Sequence, residues 1–265
     1  MIISNNKYSN INNQRRHPRV WHENYFSLRL NRNVLELARS YNENVNKIHV
    51  LDLGCGGRPY ESLFKNSFYV GTDIDHTNMT LDVVADNSCL PFKPHLFDLI
   101  IISETLEHTL NYENAIKEIL RIAKPNSLIY ISVPFMYPIH SWPYDYYRFT
   151  EFKLRHFFKD QEIISIQASN TFFTTWLFLL QYMITYIISA FPRQLRWVRY
   201  IIITSINLLA LIIDDIIVKR ILRLVQWTGL NKLIEKRINY PQGLKAFLES
   251  MPCGYAMVVK KTSSG

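Results

Sequence analysis

Cysteine is scarce in this sequence: Cys55, Cys89 and Cys253 are the only three among 265 residues. Three cysteines cannot form a disulfide framework, and none lies in a CxxC motif or a His/Cys cluster. The pattern therefore argues against a structural zinc site and for a reducing compartment. Internal repeats and low-complexity segments are also lacking. With 48% hydrophobic and 20% charged residues, the composition is that of a globular protein and excludes wholesale disorder.

The first 20 residues lack the apolar stretch of a secretory signal and carry four basic residues and no acidic one. We expect residues 1–20 to form a disordered basic arm. A second basic region, 193–237, holds nine basic and three acidic residues and is interleaved with apolar runs. This arrangement favours an anionic membrane surface as a partner and, without aromatic stacking platforms or an NPPY-type base-flipping motif, argues against nucleic acid.

Short β-rich runs alternate with helical stretches from residue 48 onward. The runs predicted as strands are 48–53, 68–72, 81–85, 97–102, 128–133, 163–168 and, at the end of the chain, 253–261. Helices are predicted over 28–45 and 111–123, the second ended by Lys124-Pro125. Because the fourth and fifth runs are almost continuously apolar, they are typical of parallel strands covered on both faces. The pattern predicts a doubly wound α/β fold.

A glycine-rich turn, residues 54–57, follows the first predicted strand. Glycine lets the backbone approach a ligand closely, and open α/β sheets bind ligands at this edge. The dinucleotide pattern GxGxxG fails because Pro59 occupies the third glycine position, and the P-loop pattern fails because no GK[ST] follows. An ordinary tight turn between a strand and a helix stays open as the alternative.

Two acidic residues follow the second and third predicted strands. Asp73 follows the second strand, where a carboxylate can accept hydrogen bonds from ribose hydroxyls, and Asp86 follows the third, where it can accept from an adenine amino group. Each residue alone is more typical of a turn or a helix cap. Together with the glycine turn, the two acids predict an adenosine-binding site.

Several ordered motifs carry a family resemblance. They are DLGCGG (52–57), GTDID (71–75), VADNSCLPF (84–92), FDLIIISETLEH (97–108) and AIKEILRIAKPNSLIYISVP (115–134). This series resembles the class I S-adenosylmethionine-dependent methyltransferases of the type 11-like group, over roughly residues 47–169 plus the last strand. The departure from the family pattern is Arg58-Pro59, where many relatives have a third glycine.

The resemblance implies S-adenosylmethionine as cofactor and assigns its contacts. Asp52 and the glycine turn would hold the methionine part, Asp73 the ribose and Asp86 the adenine amino group. The full set of predicted cofactor-binding residues is Asp52, Gly54, Cys55, Gly56, Asp73, Asp86, Asn87 and Ser103. The implied fold is α/β, a Rossmann-like seven-stranded sheet whose last strand is antiparallel and lies between strands five and six.

The segment after the fifth strand, 133–150, should border the transferable methyl group. Its PxHxxPxDYxRFT pattern resembles methyltransferases of bacterial surface-polysaccharide and related biosynthetic gene clusters. It offers a potential general base in His140, a carboxylate in Asp145 and a guanidinium in Arg148, the three predicted catalytic residues. The aromatic side chains expected to wall the site are Trp142, Tyr144 and Tyr146. The alternative is that His140, Asp145 and Arg148 form a structural network that holds this proline-rich loop, with Thr150 as the N-cap of the next helix.

Glu104, Glu107 and His108 form an ExxEH motif after the fourth strand. A similar set binds a divalent cation in some quinone-pathway O-methyltransferases, but the motif is widespread in relatives without metal. We expect no metal here and favour Glu104 or His108 as pocket-lining residues.

The segment 170–250 is predicted to be a mostly helical, apolar insertion between strands six and seven. Its run 171–191 is long enough to span a bilayer, whereas the 14 residues of 200–213 would reach only about 21 Å as a helix, short of a hydrocarbon core of about 30 Å. We therefore expect a helical hairpin in one leaflet; a soluble cap over the active site and a two-pass hairpin are the alternatives.

Polar residues of this insertion fall into separate groups. Those expected on one helical stripe are Thr174, Gln181, Thr185 and Ser189. Those expected to face anionic headgroups are Lys219, Arg220, Arg223, Lys232, Lys236 and Arg237. The segments between the two apolar runs, with Arg193, Arg196 and Arg199, are typical of interface anchors.

These expectations combine into one functional hypothesis. Residues 21–169 and 251–262 form a methyltransferase domain that O-methylates an amphipathic or lipid-linked small molecule or saccharide, as a cytoplasmic protein peripheral at the inner face of the membrane. The alternative is a membrane-docked binding or scaffold protein that keeps the fold and has lost catalysis.

Overall fold

The computed structural model describes residues 36, 47–75, 81–189, 196–228 and 243–263. The predicted basic arm 1–20 and, apart from the helical Glu36, the predicted helix 28–45 lie outside the described residues.

Seven strands form one sheet. They are β1 (Ile48–Leu53), β2 (Ser67–Asp73), β3 (Val83–Val84), β4 (Phe97–Ser103), β5 (Ala123–Pro134), β6 (Glu162–Ala168) and β7 (Gly254–Lys260). Their order across the sheet is β3-β2-β1-β4-β5-β7-β6. The pairs from β3 to β5 are parallel, and β7 is antiparallel to both β5 and β6. The predicted seven-stranded fold, with its last strand antiparallel between strands five and six, is confirmed.

Strands β1 and β4 are buried on both faces because they lie in the centre of the sheet. Alternate side chains of β4 enter two different apolar clusters: Ile100 and Ile102 pack on one face, and Leu99 and Ile101 pack on the other. All four are fully buried. The apolar run of β4 is thus explained by burial of both faces of the strand.

Helices flank the strands where periodicity predicts them. Helix α1 (Tyr112–Ile122) buries Ala115, Ile116, Ile119 and Ile122, one face of the helix. Helix α2 (Glu151–Phe157) is capped by Thr150, whose hydroxyl accepts the Lys153 N–H at 3.2 Å, as predicted. Strand β5 starts at Ala123, five residues before the predicted start, because the chain leaves α1 directly into the sheet and a register shift accommodates Pro125.

The insertion between β6 and β7 is helical. It contains α3 (Phe172–Ser189), α4 (Arg196–Leu211), a π-helical segment (Ile212–Val218), α5 (Lys219–Thr228) and α6 (Gly243–Leu248). Helix α3 packs against α4. By length and composition, one described helix, Ile201–Thr228, is apolar enough to cross a membrane, and 28% of its most apolar window is buried.

The expectation that the second apolar run is too short for a bilayer was wrong. The helix does not end at residue 213, because it continues from α4 through the π-helical segment, which contains Asp214 and Asp215, into α5. Asp214 is 5% exposed, since its carboxylate accepts the Thr171 N–H at 3.4 Å and the hydroxyls of Thr171 and Thr174 at 2.6 and 2.9 Å. The charge is thereby satisfied inside the insertion, which allows the helix to continue.

Candidate functional site

The glycine turn after β1 requires glycine for two physical reasons. Gly54 and Gly56 have φ angles of +65° and +49°, in the left-handed region that L side chains rarely adopt. A Cβ atom at residue 54 would also lie 2.4 Å from Cγ2 of Thr105, which follows β4. The turn is therefore packed directly on the end of the neighbouring strand.

The carboxylate of Asp73, at the end of β2, is positioned by backbone donors. Oδ2 accepts the Gly56 N–H at 3.0 Å, and Oδ1 accepts the Asp75 N–H at 3.1 Å. A carboxylate offers about four lone-pair positions, so both oxygens retain capacity for further donors. Asp73 thus joins the glycine turn to the carboxyl end of β2 and presents an acceptor there.

Asp86 follows β3 and organises a tight turn. Its Oδ1 accepts the backbone N–H and the hydroxyl of Ser88, both at 2.8 Å. The Asn87 amide donates to Thr109 Oγ1 at 3.4 Å, which links this turn to the segment after β4. Asp86 therefore stabilises a turn, which is the alternative role considered for it from the sequence. It also lies at the edge of a cavity, so it could contact a ligand as well.

A cavity of about 600 Å³ lies at the carboxyl ends of β1, β2 and β4. Its volume falls in the range of small-molecule and cofactor sites. The residues that line it are Gly54, Asp73, Ile74, Asp86, Asn87, Glu104, Thr105, His108, Thr109, Leu110, Asn111, Tyr144 and Tyr146. Four of the eight predicted cofactor-binding residues, Gly54, Asp73, Asp86 and Asn87, therefore meet at one cavity.

The other four do not line it, and their cofactor roles stay predictions. Asp52 is 1% exposed and accepts a hydrogen bond from the hydroxyl of Tyr69. Burial, reinforced by the nearby Asp52 charge, raises the pKa of Tyr69 far above its usual range. The backbone N–H of Gly56 is directed to Asp73. Ser103, also buried, has its hydroxyl 3.0 Å from that of Tyr60.

Cys55 is the fourth predicted cofactor-binding residue that does not line the cavity. Its side chain packs under β2, where a Cβ added to Gly71 would lie 2.8 Å from the Cys55 sulfur. Burial, with the neighbouring Asp52 and Asp73 charges, raises the pKa of the Cys55 thiol strongly. The thiol is thus a neutral packing group within the turn.

The predicted catalytic loop contains an ion-pair network. The Arg148 guanidinium donates to both carboxylate oxygens of Asp145 at 2.6 and 2.8 Å, and the His140 backbone N–H donates to Asp145 at 2.9 Å. Burial would raise the pKa of Asp145, but the hydrogen bonds from Arg148 and His140 outweigh it and lower the pKa to about 2. Arg148 also donates to the carbonyl oxygens of Tyr137 and Pro138. Asp145 and Arg148 therefore hold the proline-rich loop together, which was the alternative to a catalytic role. Neither residue lines the cavity.

His140 lies in a cluster with two residues that follow β4. Its ring packs edge-on against that of His108, with 4.7 Å between centroids. The Nε2 atoms of His108 and His140 lie 3.5 and 3.7 Å from the same oxygen of Glu107, which is fully buried. His108 also lines the cavity, so the cluster connects the loop to the site.

Pocket-lining roles for Glu104, His108, Tyr144 and Tyr146 agree with expectation, whereas Trp142 is 76% exposed and lies outside the lining. Sequence reasoning missed Ile74, Thr105, Thr109, Leu110 and Asn111. Four of these belong to the segment 105–111, which makes a short turn at Leu106–His108 before α1. The available signal was position alone: this segment directly follows a parallel strand next to β1.

Comparison with known proteins gives a consistent picture. The sequence profile of the family described as "Methyltransferase domain" matches residues 20–169, more than half of the chain. No curated protein matches in sequence. The crystal structure of the [4+2]-cyclase SpnF superposes with a TM-score of 0.51 at 15% identity, covering 88% of this chain and 81% of that one, and shows the shared fold.

Two further solved structures are similar at lower scores. The MccD protein is 15% identical, with 87% of this chain and 96% of that chain covered and a TM-score of 0.49. Phosphoethanolamine N-methyltransferase 2 of Haemonchus contortus, in complex with S-adenosyl-L-methionine, is 13% identical, with 88% and 53% covered and a TM-score of 0.49. From its family match and the strand order of its sheet, the chain belongs to the methyltransferase-domain family, as a class I enzyme with S-adenosylmethionine as its cofactor.

Proposed function

We propose that this enzyme transfers the methyl group to a hydroxyl of an amphipathic or lipid-linked small molecule or saccharide at a membrane surface. In this proposal, residues 21–169 and 251–262 form the catalytic domain and 170–250 the membrane-attached insertion. The observation that carries it is the meeting of Asp73, Asp86 and the Gly54 turn at one cavity beside a cluster of imidazole and carboxylate groups.

The donor set fits the cofactor. Asp73, held by the N–H groups of Gly56 and Asp75, would accept hydrogen bonds from the ribose hydroxyls, and Asp86 or Asn87 would contact the adenine edge. When bound, S-adenosylmethionine supplies an electrophilic methyl group on a sulfonium sulfur. Asp52, Cys55, Gly56 and Ser103 would support this site by shaping the turn and the strand ends.

The acceptor side requires a group that removes a proton from the attacking hydroxyl. His140 is our candidate, together with His108, because an imidazole titrates near neutral pH. Asp145 and Arg148 would act by positioning His140, since Asp145 accepts the His140 backbone N–H and lies 3.2 Å from His140 Nδ1. Tyr144 and Tyr146 would exclude water from the acceptor.

Membrane attachment is supported by the burial of polar side chains and the exposure of apolar ones on α3. Its polar Thr174 and Gln181 are 0% and 3% exposed, whereas Trp176, Met183 and Tyr186 are 55%, 53% and 75% exposed. Thr185 is half-buried, and the side chain of Ser189 lies outside the described residues. Helices that face lipid turn polar side chains toward their partners and apolar ones outward, so α3 fits a lipid environment.

Basic side chains support an anionic leaflet. Lys219, Arg220 and Arg223 on α5 are exposed, next to the exposed Trp227. Lys232, Lys236, Arg237 and Arg193 lie outside the described residues, as do the side chains of Arg196 and Arg199.

The cofactor assignment is tested by calorimetric titration of the full-length protein with S-adenosylmethionine. Asp73→Asn removes half of the acceptor capacity, and we expect about a tenfold or greater loss of affinity. Asp160→Asn, exposed at the far end of the sheet near the start of β6, is the control and should bind like the wild type. Equal affinity in both variants would remove the ribose assignment, and the lack of any heat with the wild type would favour the scaffold alternative.

Membrane attachment is tested by flotation with vesicles that contain phosphatidylglycerol, compared with pure phosphatidylcholine. Replacing two exposed apolar residues of α3, Met183→Ser with Ile187→Ser, should reduce the bound fraction several-fold. Phe152→Ser, which changes an 80% exposed side chain on α2, should not. A wild type that stays with the soluble fraction would support the soluble cap instead.

A further inference from the structure

Three hydrogen-bond acceptors converge where Glu107, His108 and His140 meet. One carboxylate oxygen of Glu107 lies 3.5 Å from His108 Nε2 and 3.7 Å from His140 Nε2. One ligand atom from each of the three residues lies within 4.8 Å of the others. Both oxygens of the fully buried Glu107 carboxylate have no hydrogen-bond donor among the described residues. This is an unusual environment, because a buried carboxylate is normally paired or hydrogen-bonded.

The other ring nitrogen of each histidine fixes its tautomer. His108 Nδ1 lies 2.7 Å from the carbonyl oxygen of Tyr144, which can only accept, so Nδ1 carries the proton. His140 Nδ1 lies 3.2 Å from Asp145 and 3.3 Å from the carbonyl oxygen of Pro138, again acceptors only. In the neutral imidazoles, both Nε2 atoms therefore present lone pairs toward the Glu107 carboxylate.

The surrounding charges compensate this carboxylate only in part. The pKa of Arg148 is raised chiefly by its hydrogen bond to Asp145 and less by the Glu107 charge, and no described residue donates a hydrogen bond to the Glu107 carboxylate. The nearby guanidinium, Arg148, is engaged in a two-point ion pair with Asp145. Glu104 adds a further carboxylate beside the same cavity. Two lone pairs and a buried negative charge directed at one point repel each other unless a positive charge lies between them.

We propose that Glu107, His108 and His140 bind a divalent cation of the zinc class. A set of two imidazole nitrogens and one carboxylate oxygen is typical of catalytic sites for zinc and related transition metals, and less so of magnesium or calcium sites. Ligand atoms about 2.1 Å from a tetrahedral ion lie about 3.4 Å apart. Two of the separations here, 3.5 and 3.7 Å, are close to that value; all three atoms lie within 4.8 Å, so cation binding would draw the two imidazoles toward each other. Three protein ligands leave a position for water or substrate.

The members of this site differ from those of the ExxEH motif in the sequence. The proposal also replaces the expectation from sequence that no metal binds here. Glu104 is not a member, and His140 comes from the loop after β5 and not from the motif. His140 could not be placed there from sequence, because its position depends on the fold of residues 135–149.

The use of the cation rests on the proposed function, whereas its binding does not. Because His108 lines the cavity, the open position would accept a hydroxyl or other oxygen donor of the acceptor. Coordination would lower the pKa of such a hydroxyl, so its proton would pass to solvent and the alkoxide oxygen would take the methyl group, with S-adenosylhomocysteine as the leaving group. With the cation bound, His108 and His140 are its ligands, and the cation replaces the imidazole base of the proposed function. This assigns the acceptor to molecules that offer a metal-coordinating oxygen at the methylated position.

The test is metal binding to the full-length protein in a Cys89→Ser background, which removes the exposed thiol as a competing ligand. After treatment with a chelator, the protein is titrated with Co²⁺ followed by visible absorption, and bound Co²⁺ is displaced with Zn²⁺. We expect one equivalent with intense d–d bands. Glu107→Gln and His140→Gln should each weaken Co²⁺ binding by about tenfold or more.

His156→Gln, on the exposed side of α2, is the matched control and should bind Co²⁺ like the parent protein. Thermal unfolding and calorimetry with S-adenosylmethionine verify that each variant is folded. If the parent binds no stoichiometric Co²⁺, or if both site variants bind it as tightly as His156→Gln, the proposal is wrong. Loss of S-adenosylmethionine binding with Co²⁺ binding intact would instead overturn the proposed function and leave the cation site standing.

Discussion

Thr105 and Gly54 lie in such close contact that the space beside Gly54 has no room for a methyl group. A Cβ atom at residue 54 would lie 2.4 Å from Cγ2 and 2.5 Å from Oγ1 of Thr105. The Thr105 side chain cannot easily withdraw, because its hydroxyl is 3.2 Å from the Leu53 carbonyl oxygen and 3.0 Å from that of Ser103. The first turn of the cofactor site is thus locked to the end of β4.

Gly54→Ala should therefore damage both stability and cofactor binding. The left-handed conformation alone costs an alanine about 1–2 kcal/mol, and the contact with Thr105 adds to this. We expect a lower thermal midpoint and at least a tenfold weaker S-adenosylmethionine affinity by calorimetry. Gly57→Ala, in the same turn but without a positive φ, is the control. Equal behaviour of the two variants would contradict the packing argument.

Asp214 should hold the insertion together. Asp214→Ala removes the 2.6 Å acceptor of the Thr171 hydroxyl and one of two acceptors from the Thr171 N–H and the Thr174 hydroxyl, and we expect a loss of about 2–3 kcal/mol in the free energy of unfolding. Its neighbour Asp215 forms a surface ion pair with Lys219, so Asp215→Ala should change stability by about 1 kcal/mol at most. The measurement is denaturant unfolding followed by circular dichroism. A similar effect of the two substitutions would indicate that the Asp214 network is unimportant.

Glu118 should stabilise the fold in a pH-dependent way. It accepts hydrogen bonds from Arg121 and from the Leu90 N–H, and chiefly the bonds from Arg121 lower its pKa below the usual 4.5. Because the native pKa lies below the unfolded one, the stabilisation is complete above pH 4.5 and is lost as the pH falls through the native pKa. Glu118→Gln should thus cost about 1–2 kcal/mol at pH 7 and progressively less in acid.

The control for that series is Glu113→Gln, an exposed position on the first turn of the same helix. Unfolding midpoints of the three proteins between pH 3 and pH 7 are compared at about 0.5-unit steps, which resolves a pKa change of one unit. A difference between wild type and Glu118→Gln that stays constant with pH would contradict the assigned cause.

The three thiols should differ sharply in reactivity. Burial raises the pKa of Cys253 to about 12 and that of Cys55 further, whereas Cys89 is exposed. Since the thiolate is the reactive species, the native protein at pH 8 should release one equivalent of chromophore from Ellman's reagent, and the denatured protein three. Cys89→Ser should abolish the native reaction. A second fast thiol would show that the structure around Cys55 or Cys253 opens readily.

Much of the fold was predictable because its signals are local. Strand β1 has the predicted bounds, α1 and the Thr150 cap follow the helical pattern, and the strand-end acids Asp73 and Asp86 reach one cavity because parallel strands end at the same edge. The resemblance supplied what local patterns cannot, the position of β7 between β5 and β6.

What failed was non-local or depended on compensation between side chains. The continuation of the helix from α4 into α5 depends on burial of Asp214 by threonines some 40 residues earlier, and a hydropathy pattern treats that aspartate as a break. The burial of Glu107 against His140 joins two segments 33 positions apart. Neither pairing leaves a periodic trace, so neither could be found from the sequence.

The way the insertion is attached has a consequence for how an acceptor reaches the enzyme. Ala168 and Tyr255 are paired across β6 and β7, and the Ser169 N–H donates to the Gly254 carbonyl oxygen at 2.9 Å. The helices are thus joined to the catalytic domain by two hydrogen-bonded chain crossings and not by a single swivelling tether. If the insertion attaches to a bilayer as we propose, an acceptor confined to the bilayer plane would be offered to the cavity from one fixed direction, and its orientation would then contribute to substrate choice along with chemical recognition.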